Sequence, residues 1–317
     1  MNVSTPERPR IAVLVPCFNE NLTVGAVVRD FLRAVPSATV YVYDNNSTDN
    51  TGGIAKDAGA VVRTETRQGK GFVVQRMFAD IEADIYVLVD GDDTYEAAAA
   101  PRLIDRLLSE RLDFVNGARK ASEVRAYRPG HRLGNKLLTG LVQRLFGKQF
   151  DDMLSGYKVL SRRFVKSFPT TSRGFEIETE LMIHALRLSM PSIEVSTIYK
   201  ERPEGSQSKL RTYHDGLNIL LFIVRLLKDE RPLMFFGAIG GLTVLVSFFL
   251  AAPIVLEFVE TGLVPRLPTA VLCASLVVIG IFSIFAGLIL DMVSKTRKEV
   301  KRLAYLSIPL FSSEPHV

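Results

Sequence analysis

The sequence has few of the residues that build disulfide-rich folds or zinc sites. Its 317 residues include two cysteines, Cys17 and Cys273, far apart in the chain, and four histidines. These numbers and spacings exclude a disulfide framework and a Cys/His metal cluster. The N-terminus also has little apolar sequence, because the run Ile11–Val15 before Pro16 is too short for the core of a signal peptide. We therefore expect a main domain that stays in the cytoplasm with reduced thiols.

Two segments near the C-terminus lack charge entirely. Residues 233–256 and 267–290 each run for 24 positions without Asp, Glu, Lys or Arg. At about 1.5 Å per residue, helices of this length cross a hydrocarbon core of about 30 Å. The pattern argues against a wholly soluble chain and predicts a transmembrane hairpin over 233–290.

Basic residues flank this hairpin. A net charge of +5 would suit nucleic acid, but the hairpin loop, residues 257–266, contains only Arg266 as a basic residue. The flanking basic residues are Arg211, Arg225, Lys228 and Arg231 before the first span and Lys295, Arg297, Lys298, Lys301 and Arg302 after the second. Because Lys and Arg favour the cytoplasmic side and anionic headgroups, we predict an integral membrane protein with both flanks cytoplasmic. In a prokaryote this would be the plasma membrane, and the partner would be membrane lipid rather than nucleic acid.

The first 210 residues have the pattern of an α/β domain. Short apolar runs alternate with segments of helical period, which is typical of parallel strands covered on both faces. The pattern predicts a doubly wound, Rossmann-like sheet. The predicted strands are 11–15, 39–43, 60–63, 85–89 and 114–116, and the predicted helices are 21–35, 49–58, 70–81 and 97–110.

Two further segments combine an apolar face with basic residues. A helix predicted over 131–148 has leucines at helical spacing, which suits either packing on the core or lying at a membrane surface. The segment 211–232 is more apolar and leads into the first span, so we predict an interfacial helix there. The predicted domains are thus 1–210 (α/β), 211–232 (interfacial), 233–290 (hairpin) and 291–317 (basic cytoplasmic tail).

Polar residues follow three of the predicted strands, in the segments 16–20, 44–49 and 90–93. In doubly wound sheets, ligands bind beyond the carboxyl ends of the strands, so we expect one acidic crevice there. A single run of carboxylates can equally be a solvated loop. Three runs in register with the sheet favour a site.

Asp90-Gly91-Asp92 is the sharpest local signal. Two carboxylates one residue apart, after a buried strand, can hold a hard divalent cation that bridges two phosphates. The alternative is a turn in which Asp93 caps a helix beginning near Tyr95. We favour the first interpretation and predict Mg²⁺ or Mn²⁺ as the cofactor of a reaction with a diphosphate leaving group.

Taken in order, these motifs resemble those of family 2 glycosyltransferases with a GT-A fold. The matching segments are 15–20 (VPCFNE), 43–51 (YDNNSTDNT), 69–71 (GKG) and 90–92 (DGD). Two more, 152–158 (DMLSGYK) and 202–209 (RPEGSQSK), are similar to the polyprenyl-phosphate branch, which includes dolichyl-phosphate mannose synthases and bacterial polyprenyl-phosphate glucosyltransferases. The resemblance covers roughly residues 10–230 and implies a GT-A catalytic domain followed by membrane helices.

The resemblance implies roles for residues around a nucleoside diphosphate sugar. The nucleoside pocket would contain Pro16, Phe18, Glu20 and Asp44, the metal-bound diphosphate would lie against Asp90, Gly91 and Asp92, and a closing loop would supply Arg202 and Lys209. Asn45 stands where the family usually has a second Asp, which leaves the base preference open. Lys70 suits either a place near the donor or the protein surface.

The acceptor implied by the resemblance is a polyprenyl phosphate, which is largely dianionic at pH 7. Arg119, Arg132 and Asn135 match positions that bind this phosphate, with Asn135 in place of a usual serine. Asp152 would position the reactants and have some base character. Glu178 suits either contact with the sugar or a solvated helix start. His184 and His214 have no partner at metal-ligand spacing and are expected to be structural.

The predicted function is therefore a membrane-anchored, inverting transfer of a hexose from a UDP- or GDP-linked sugar to undecaprenyl or dolichyl phosphate. Asp92, Asp152 and Arg202 would be its catalytic residues. A related enzyme that extends a glycolipid or polysaccharide would act on a hydroxyl and need Asp152 as a base. A non-catalytic, nucleotide-binding membrane scaffold is the third interpretation. Small residues in the spans are compatible with a homo-oligomer.

Overall fold

The computed structural model of the chain describes residues 9–121, 139–140, 142–144, 147–169, 172, 174, 176–202, 221 and 224–310. These residues form two compact units, one that contains those up to 202 together with 301–310, and one that contains those from 221 to 300. Arg132, Asn135, Lys209 and His214 lie outside the described residues, as does most of the two predicted amphipathic segments, 131–148 and 211–232.

A seven-stranded sheet forms the centre of the first unit. Its strands are β1 (Ile11–Cys17), β2 (Ala38–Asp44), β3 (Val61–Thr64), β4 (Ile85–Leu88), β5 (Phe114–Ala121), β6 (Lys158–Ser161) and β7 (Ser192–Tyr199). Their order across the sheet is β3-β2-β1-β4-β6-β5-β7. Strand β6 runs antiparallel to both neighbours, β4 and β5. The predicted α/β sheet is confirmed, but it is mixed rather than parallel throughout.

Outside its C-terminal segment, the described part of this unit includes six α-helices with defined bounds. They are α1 (Val24–Ala34), α2 (Thr51–Asp57), α3 (Lys70–Asp80), α4 (Ala100–Ser109), α5 (Arg162–Ser167) and α6 (Ile177–Arg187). Helix α1 shows why they pack. Its buried residues Val24, Val27, Val28 and Phe31 recur at helical spacing and join the apolar side chains of β1 and β2 in one core.

The chain between β4 and α4 differs from the prediction. The predicted helix over 97–110 begins with a 3₁₀ turn, Ala97–Ala99, which continues into α4. Asp93 is not its cap, because Asp93 has a φ of 57° and the residue before the turn is Glu96. Tyr95 forms a bridge with Tyr199 at the end of β7, which keeps the chain extended up to the turn.

The second unit contains most of two long apolar helices, α7 (Pro232–Thr261) and α8 (Leu267–Ser307). By length and composition, both are able to cross a membrane. Only 17% of the most apolar 18-residue stretch of each helix is buried. Both are longer than the predicted spans. Gly262, with a φ of 70°, ends α7 in a left-handed cap. A Cβ at Gly240 would lie 2.5 Å from the carbonyl oxygen of Gly280, so these glycines let the two helices pack closely.

The last turns of α8 belong to the first unit. The Tyr305 hydroxyl donates to Oδ2 of the buried Asp113 at 2.6 Å, and Arg302 donates to the carbonyl oxygen of Leu188 at 2.8 Å. Arg163 also donates to both oxygens of Asp113, at 2.5 and 2.8 Å. The segment 301–307, which follows the second apolar run, is therefore a structural part of the α/β unit.

Candidate active site

The loops after β1 and β2 are joined by side-chain hydrogen bonds. The Asn19 N–H donates to Ser47 Oγ at 2.9 Å, and the Glu20 N–H donates to Thr51 Oγ1 at 2.8 Å. Asp44 accepts from the Ser47 N–H at 3.0 Å, which fixes the turn that leaves β2. Glu20 and Asp44 therefore both lie at the carboxyl ends of the neighbouring strands β1 and β2. The other two predicted pocket residues, Pro16 and Phe18, are partly exposed on the same β1 end.

The loop after β4 lies directly against the end of β1. A Cβ at Gly91 would lie 2.6 Å from the sulfur of Cys17, so a larger residue would push the two strand ends apart. The Thr23 hydroxyl donates to the carbonyl oxygen of Gly91 at 2.7 Å. A side chain at position 91 would thus displace the Cys17 sulfur, and the sequence gives a second reason for glycine there, the close approach of a ligand.

Asp92 is buried and both of its oxygens are engaged. Oδ1 accepts from the Thr94 hydroxyl at 2.6 Å, and Oδ2 accepts from Arg202 Nη2 at 2.5 Å. The pairing with Arg202 joins two predicted catalytic residues that lie 110 positions apart in sequence. Asp92 is therefore fixed in place by a hydroxyl and a guanidinium.

Asp90 is held by Lys70, which begins α3. The Lys70 ammonium lies 2.5 Å from Asp90 Oδ1 and 2.5 Å from Oε1 of Glu178, in the first turn of α6. Burial acts to lower the pKa of Lys70, but the charges of the two carboxylates outweigh it and raise the pKa. Burial likewise acts to raise the pKa of Asp90, and the Lys70 charge outweighs it and lowers the pKa. The surface interpretation of Lys70 is wrong, because its side chain is only 9% exposed.

Asn45 explains how Lys70 reaches this position. Its amide nitrogen donates to the carbonyl oxygens of Glu65 and Arg67, each at 2.8 Å, and its Oδ1 accepts from the Gly69 N–H at 2.7 Å. An ionised Asp in its place has no N–H to donate, so it would lose two of these three bonds. The departure from the family pattern at position 45 therefore fixes the segment that leads into α3.

Asp152 and Arg119, predicted for separate roles, form one pair. Arg119 donates through Nε to Oδ2 at 2.8 Å and through Nη2 to Oδ1 at 2.7 Å, and its backbone N–H donates to Oδ2 at 3.1 Å. Burial acts to raise the pKa of Asp152, but the hydrogen bonds and charge of Arg119 outweigh it and lower the pKa. The Arg119 guanidinium also lies 5.5 Å from the ring centre of Tyr199.

Lys158 is a buried cation that sequence reasoning did not single out. Its ammonium contacts the neutral oxygens of Asn116, at 3.2 Å, and Ser155, at 2.5 Å. Burial lowers its pKa to about 8, while the charges of Glu178 and Asp152 oppose that shift. The signal available in the sequence was a lysine directly before the apolar pair Val159-Leu160. Because Lys158 interacts electrostatically with both carboxylates, the Arg119–Asp152 pair and the Lys70–Glu178 pair belong to one cluster of charges.

Gly156, in the segment between Asp152 and Lys158, brings this cluster to the aspartate pair. A Cβ at position 156 would collide with the carboxylate of Asp90, and the Gly156 N–H donates to the Tyr95 hydroxyl at 2.7 Å. The residues that the structure brings together are thus Asp90, Asp92, Arg202, Arg119 and Asp152, with Lys70 and Glu178.

The donor set fits a divalent cation shared with a ligand. Asp90 and Asp92 supply hard carboxylate oxygens, which Mg²⁺ and Mn²⁺ prefer. Within the described part of the chain, no group of three or more His, Cys, Asp or Glu side chains is placed to hold a metal. Phosphate and water oxygens would complete the coordination, which is how Mg²⁺ is commonly held at diphosphates.

Comparisons with known proteins identify the family of this chain. Residues 12–168 match the model of glycosyl transferase family 2. Glycosyltransferase AglJ of Haloferax volcanii is 33% identical over 308 residues, which cover 95% of this chain and 99% of that protein. The chain belongs to glycosyl transferase family 2. It is a glycosyltransferase, and it is also 27% identical to the dolichyl-phosphate hexose transferase of the same organism, over 70% of this chain and 95% of that one.

Solved structures show that this family 2 glycosyltransferase has a GT-A-like fold. Glucosyl-3-phosphoglycerate synthase of Mycobacterium tuberculosis, solved with Mn²⁺, UDP and glucosyl-3-phosphoglycerate, superposes with a TM-score of 0.56 at 25% identity, over 69% of this chain and 79% of that one. Mannosyl-3-phosphoglycerate synthase of Rubrobacter xylanophilus gives a TM-score of 0.58 at 22% identity, over 70% and 75% of the two chains. The predicted fold class and enzyme class are confirmed.

Proposed function

We propose that this glycosyltransferase transfers one hexose from a nucleoside diphosphate sugar to a polyprenyl phosphate, with inversion, while anchored in a membrane by α7 and α8. The similarity to a dolichyl-phosphate hexose transferase supports the acceptor class. The UDP and Mn²⁺ of the mycobacterial synthase support a nucleoside diphosphate donor and a divalent cation.

The observation that carries the acceptor assignment is the bidentate pair between Arg119 and Asp152. A hydroxyl acceptor needs a base to remove its proton, and the pKa of Asp152 is lowered by Arg119, which makes this carboxylate a weak base. Two further carboxylates nearby are also engaged, because Glu178 is paired with Lys70 and Glu194 accepts from Asn116 and from the Asp152 N–H. A phosphate dianion needs no base. The geometry therefore favours an anionic acceptor over the glycan-extending alternative.

In the proposed reaction an acceptor phosphate oxygen attacks the anomeric carbon of the sugar. The bond from that carbon to the nucleoside diphosphate breaks, and its electron pair leaves with the diphosphate. Arg119 would orient the acceptor phosphate, with Asp152 holding the guanidinium in place. Arg202 would move from Asp92 toward the diphosphate as negative charge develops there. Lys209, Arg132 and Asn135 keep their predicted roles in this scheme.

Donor binding would take place at the carboxyl ends of β1, β2 and β4. Phe18 would offer a ring face to the base, and Glu20 and Asp44 would accept from base N–H groups or ribose hydroxyls. Asp90 and Asp92 would hold Mg²⁺ or Mn²⁺, which would neutralise the diphosphate and assist its departure. Arg202, which contacts Asp92, would supply a second positive group near the same phosphates.

The membrane assignment rests on α7 and α8 and on the return of the chain to the first unit. Residues 301–307 belong to the same compact unit as 9–202, so the two ends of the hairpin would lie on one side of the membrane. Positive residues in both flanks favour the cytoplasmic side. The acceptor would then be used at the cytoplasmic leaflet.

The test is a transfer assay with the full-length protein, a panel of radiolabelled sugar nucleotides, Mn²⁺ or Mg²⁺, and undecaprenyl or dolichyl phosphate. We expect label in the organic phase with a polyprenyl phosphate and none with the corresponding free polyprenol. The Asp92→Asn variant is the matched inactive control. Transfer to a glycolipid hydroxyl, with none to any polyprenyl phosphate, would overturn the acceptor assignment.

A further inference from the structure

The two aspartates that would hold the cation are already occupied by the protein's own cations. Asp90 Oδ1 contacts the Lys70 ammonium, and Asp92 Oδ2 contacts the Arg202 guanidinium. Asp92 Oδ1 accepts from Thr94, so Oδ2 of Asp90 is the carboxylate oxygen of the pair without a hydrogen bond to a described residue. A divalent cation that arrives alone must therefore compete with Lys70 or Arg202.

Lys70 is the more buried cation of the two. Its side chain is 9% exposed, against 31% for Arg202, whereas Asp90 is 27% exposed and Asp92 5%. Its position is also fixed by the chain before it, because the Asn45 hydrogen bonds hold the segment that leads into Lys70. The Glu178 carboxylate, itself 9% exposed, shares the same ammonium with Asp90.

We propose that Lys70 acts as a resident cation of the metal site, so that the divalent cation binds weakly alone and tightly together with the nucleoside diphosphate. A diphosphate brings negative oxygens that accept the Lys70 ammonium and free Asp90 for the metal. Metal and nucleotide would then strengthen each other's binding by the same factor, as linkage requires. Lys70 is a positioning residue in this scheme, and the inference rests on the proposed donor class.

The experiment measures Mn²⁺ binding, not turnover. Free Mn²⁺ is followed by electron paramagnetic resonance as it is titrated into full-length protein in detergent, with and without UDP or GDP. In the Lys70→Met variant, nucleotide-free Mn²⁺ should bind on the order of 10-fold more tightly than in the wild type, because one charge-assisted contact no longer has to break. The factor by which the nucleotide strengthens Mn²⁺ binding should fall correspondingly.

Three further variants separate the resident cation from a general effect of charge. Lys70→Arg keeps a cation on Asp90 and should return Mn²⁺ affinity to within a few-fold of the wild type. Lys56→Met removes a positive charge from the exposed end of α2 and should match the wild type. Glu178→Gln removes the charge of one of the two described carboxylates that share the Lys70 ammonium, so Asp90 should hold Lys70 more strongly and nucleotide-free Mn²⁺ should bind more weakly. This last variant also serves as the test if Lys70→Met does not fold.

Unchanged or weaker Mn²⁺ binding in folded Lys70→Met, or a Lys70→Arg variant that behaves like Lys70→Met, would overturn the inference. Unchanged Mn²⁺ binding in Glu178→Gln would do the same. Failure of the proposed function has a different signature, because the wild type itself would then bind neither UDP nor GDP in the presence of Mn²⁺. The two failures are therefore distinguishable in one set of titrations.

Discussion

Replacing Arg119 by methionine tests the pair with Asp152 most directly. The change removes two charge-assisted bonds, at 2.8 and 2.7 Å, and leaves the carboxylate with the backbone N–H groups of Arg119 and Leu154. The two side chains are 15% and 11% exposed, so water replaces the lost bonds poorly. Stranding a buried carboxylate in this way costs about 3 kcal/mol of unfolding free energy. For a domain of this size, the melting temperature should fall by about 6–12 °C.

The assay can use Cys17 as its reporter, since the sequence contains no tryptophan. The Cys17 thiol is 3% exposed and reacts with a fluorogenic maleimide only when the α/β unit opens. Cys273 is replaced by alanine in every variant, so that the second unit gives no signal. Melting curves are then compared for Arg119→Met, Asp152→Asn and the double variant.

The double variant decides the interpretation. Asp152→Asn removes the charge that Arg119→Met strands, so the double variant should melt at a higher temperature than Arg119→Met alone. The pair's contribution should also depend on pH. Because the folded-state pKa of Asp152 is lowered, the contribution is present above the unfolded value of about 3.9 and is lost as the pH falls through the folded value. Strictly additive losses, or an Arg119→Met variant that melts like the wild type, would refute the reasoning.

Three more outcomes are expected. Asp92→Ala should abolish glycolipid formation while the Cys17 melting temperature falls by less than in Arg119→Met, because the Arg202 left without its partner is 31% exposed to water and no apolar core is opened; undiminished product would remove Asp92 from the reaction. In intact cells and a cysteine-free background, cysteine at Thr261 should react with an impermeant maleimide and cysteine at Ser307 should not, and reversed labelling would overturn the orientation. Burial lowers the pKa of His184 to about 3. Relative to His184→Asn, wild-type unfolding free energy should therefore fall by about 1.4 kcal/mol per pH unit below about 6.5, and a constant difference across pH 4–6.5 would contradict this.

The parts of the fold that were predictable are those with a local signal. Strands β1 and β4 are continuous apolar runs, and the buried face of α1 repeats at helical spacing, so each was visible in a short window. Strands β6 and β7 were missed. The first begins with the buried Lys158, and the second is mostly half-buried, so neither has an uninterrupted apolar run.

The candidate site divides in the same way. The strand-end positions of Asp90 and Asp92 follow from the topology of the sheet and could be anticipated. The ion pairs around them could not be anticipated, because their members are far apart in sequence. Lys70 and Glu178 lie 108 positions apart, and Arg119 and Asp152 lie 33 apart. Such pairs depend on how α3, α6 and β5 pack, which spacing along the chain does not encode. Arg119 itself lies in an extension of β5 that forms because β7 pairs with it over its whole length.

The return of residues 301–307 to the α/β unit changes how the chain can be divided experimentally. The apolar hairpin formed by α7 and most of α8 is an insertion within the α/β unit rather than a removable tail. Cutting the chain after residue 217 would remove Tyr305 from Asp113 and Arg302 from the carbonyl of Leu188, and would leave a buried carboxylate short of one donor. A water-soluble enzyme derived from this sequence should therefore keep 301–307, rejoined by a linker in place of the excised hairpin, if it is to retain the stability of the intact protein.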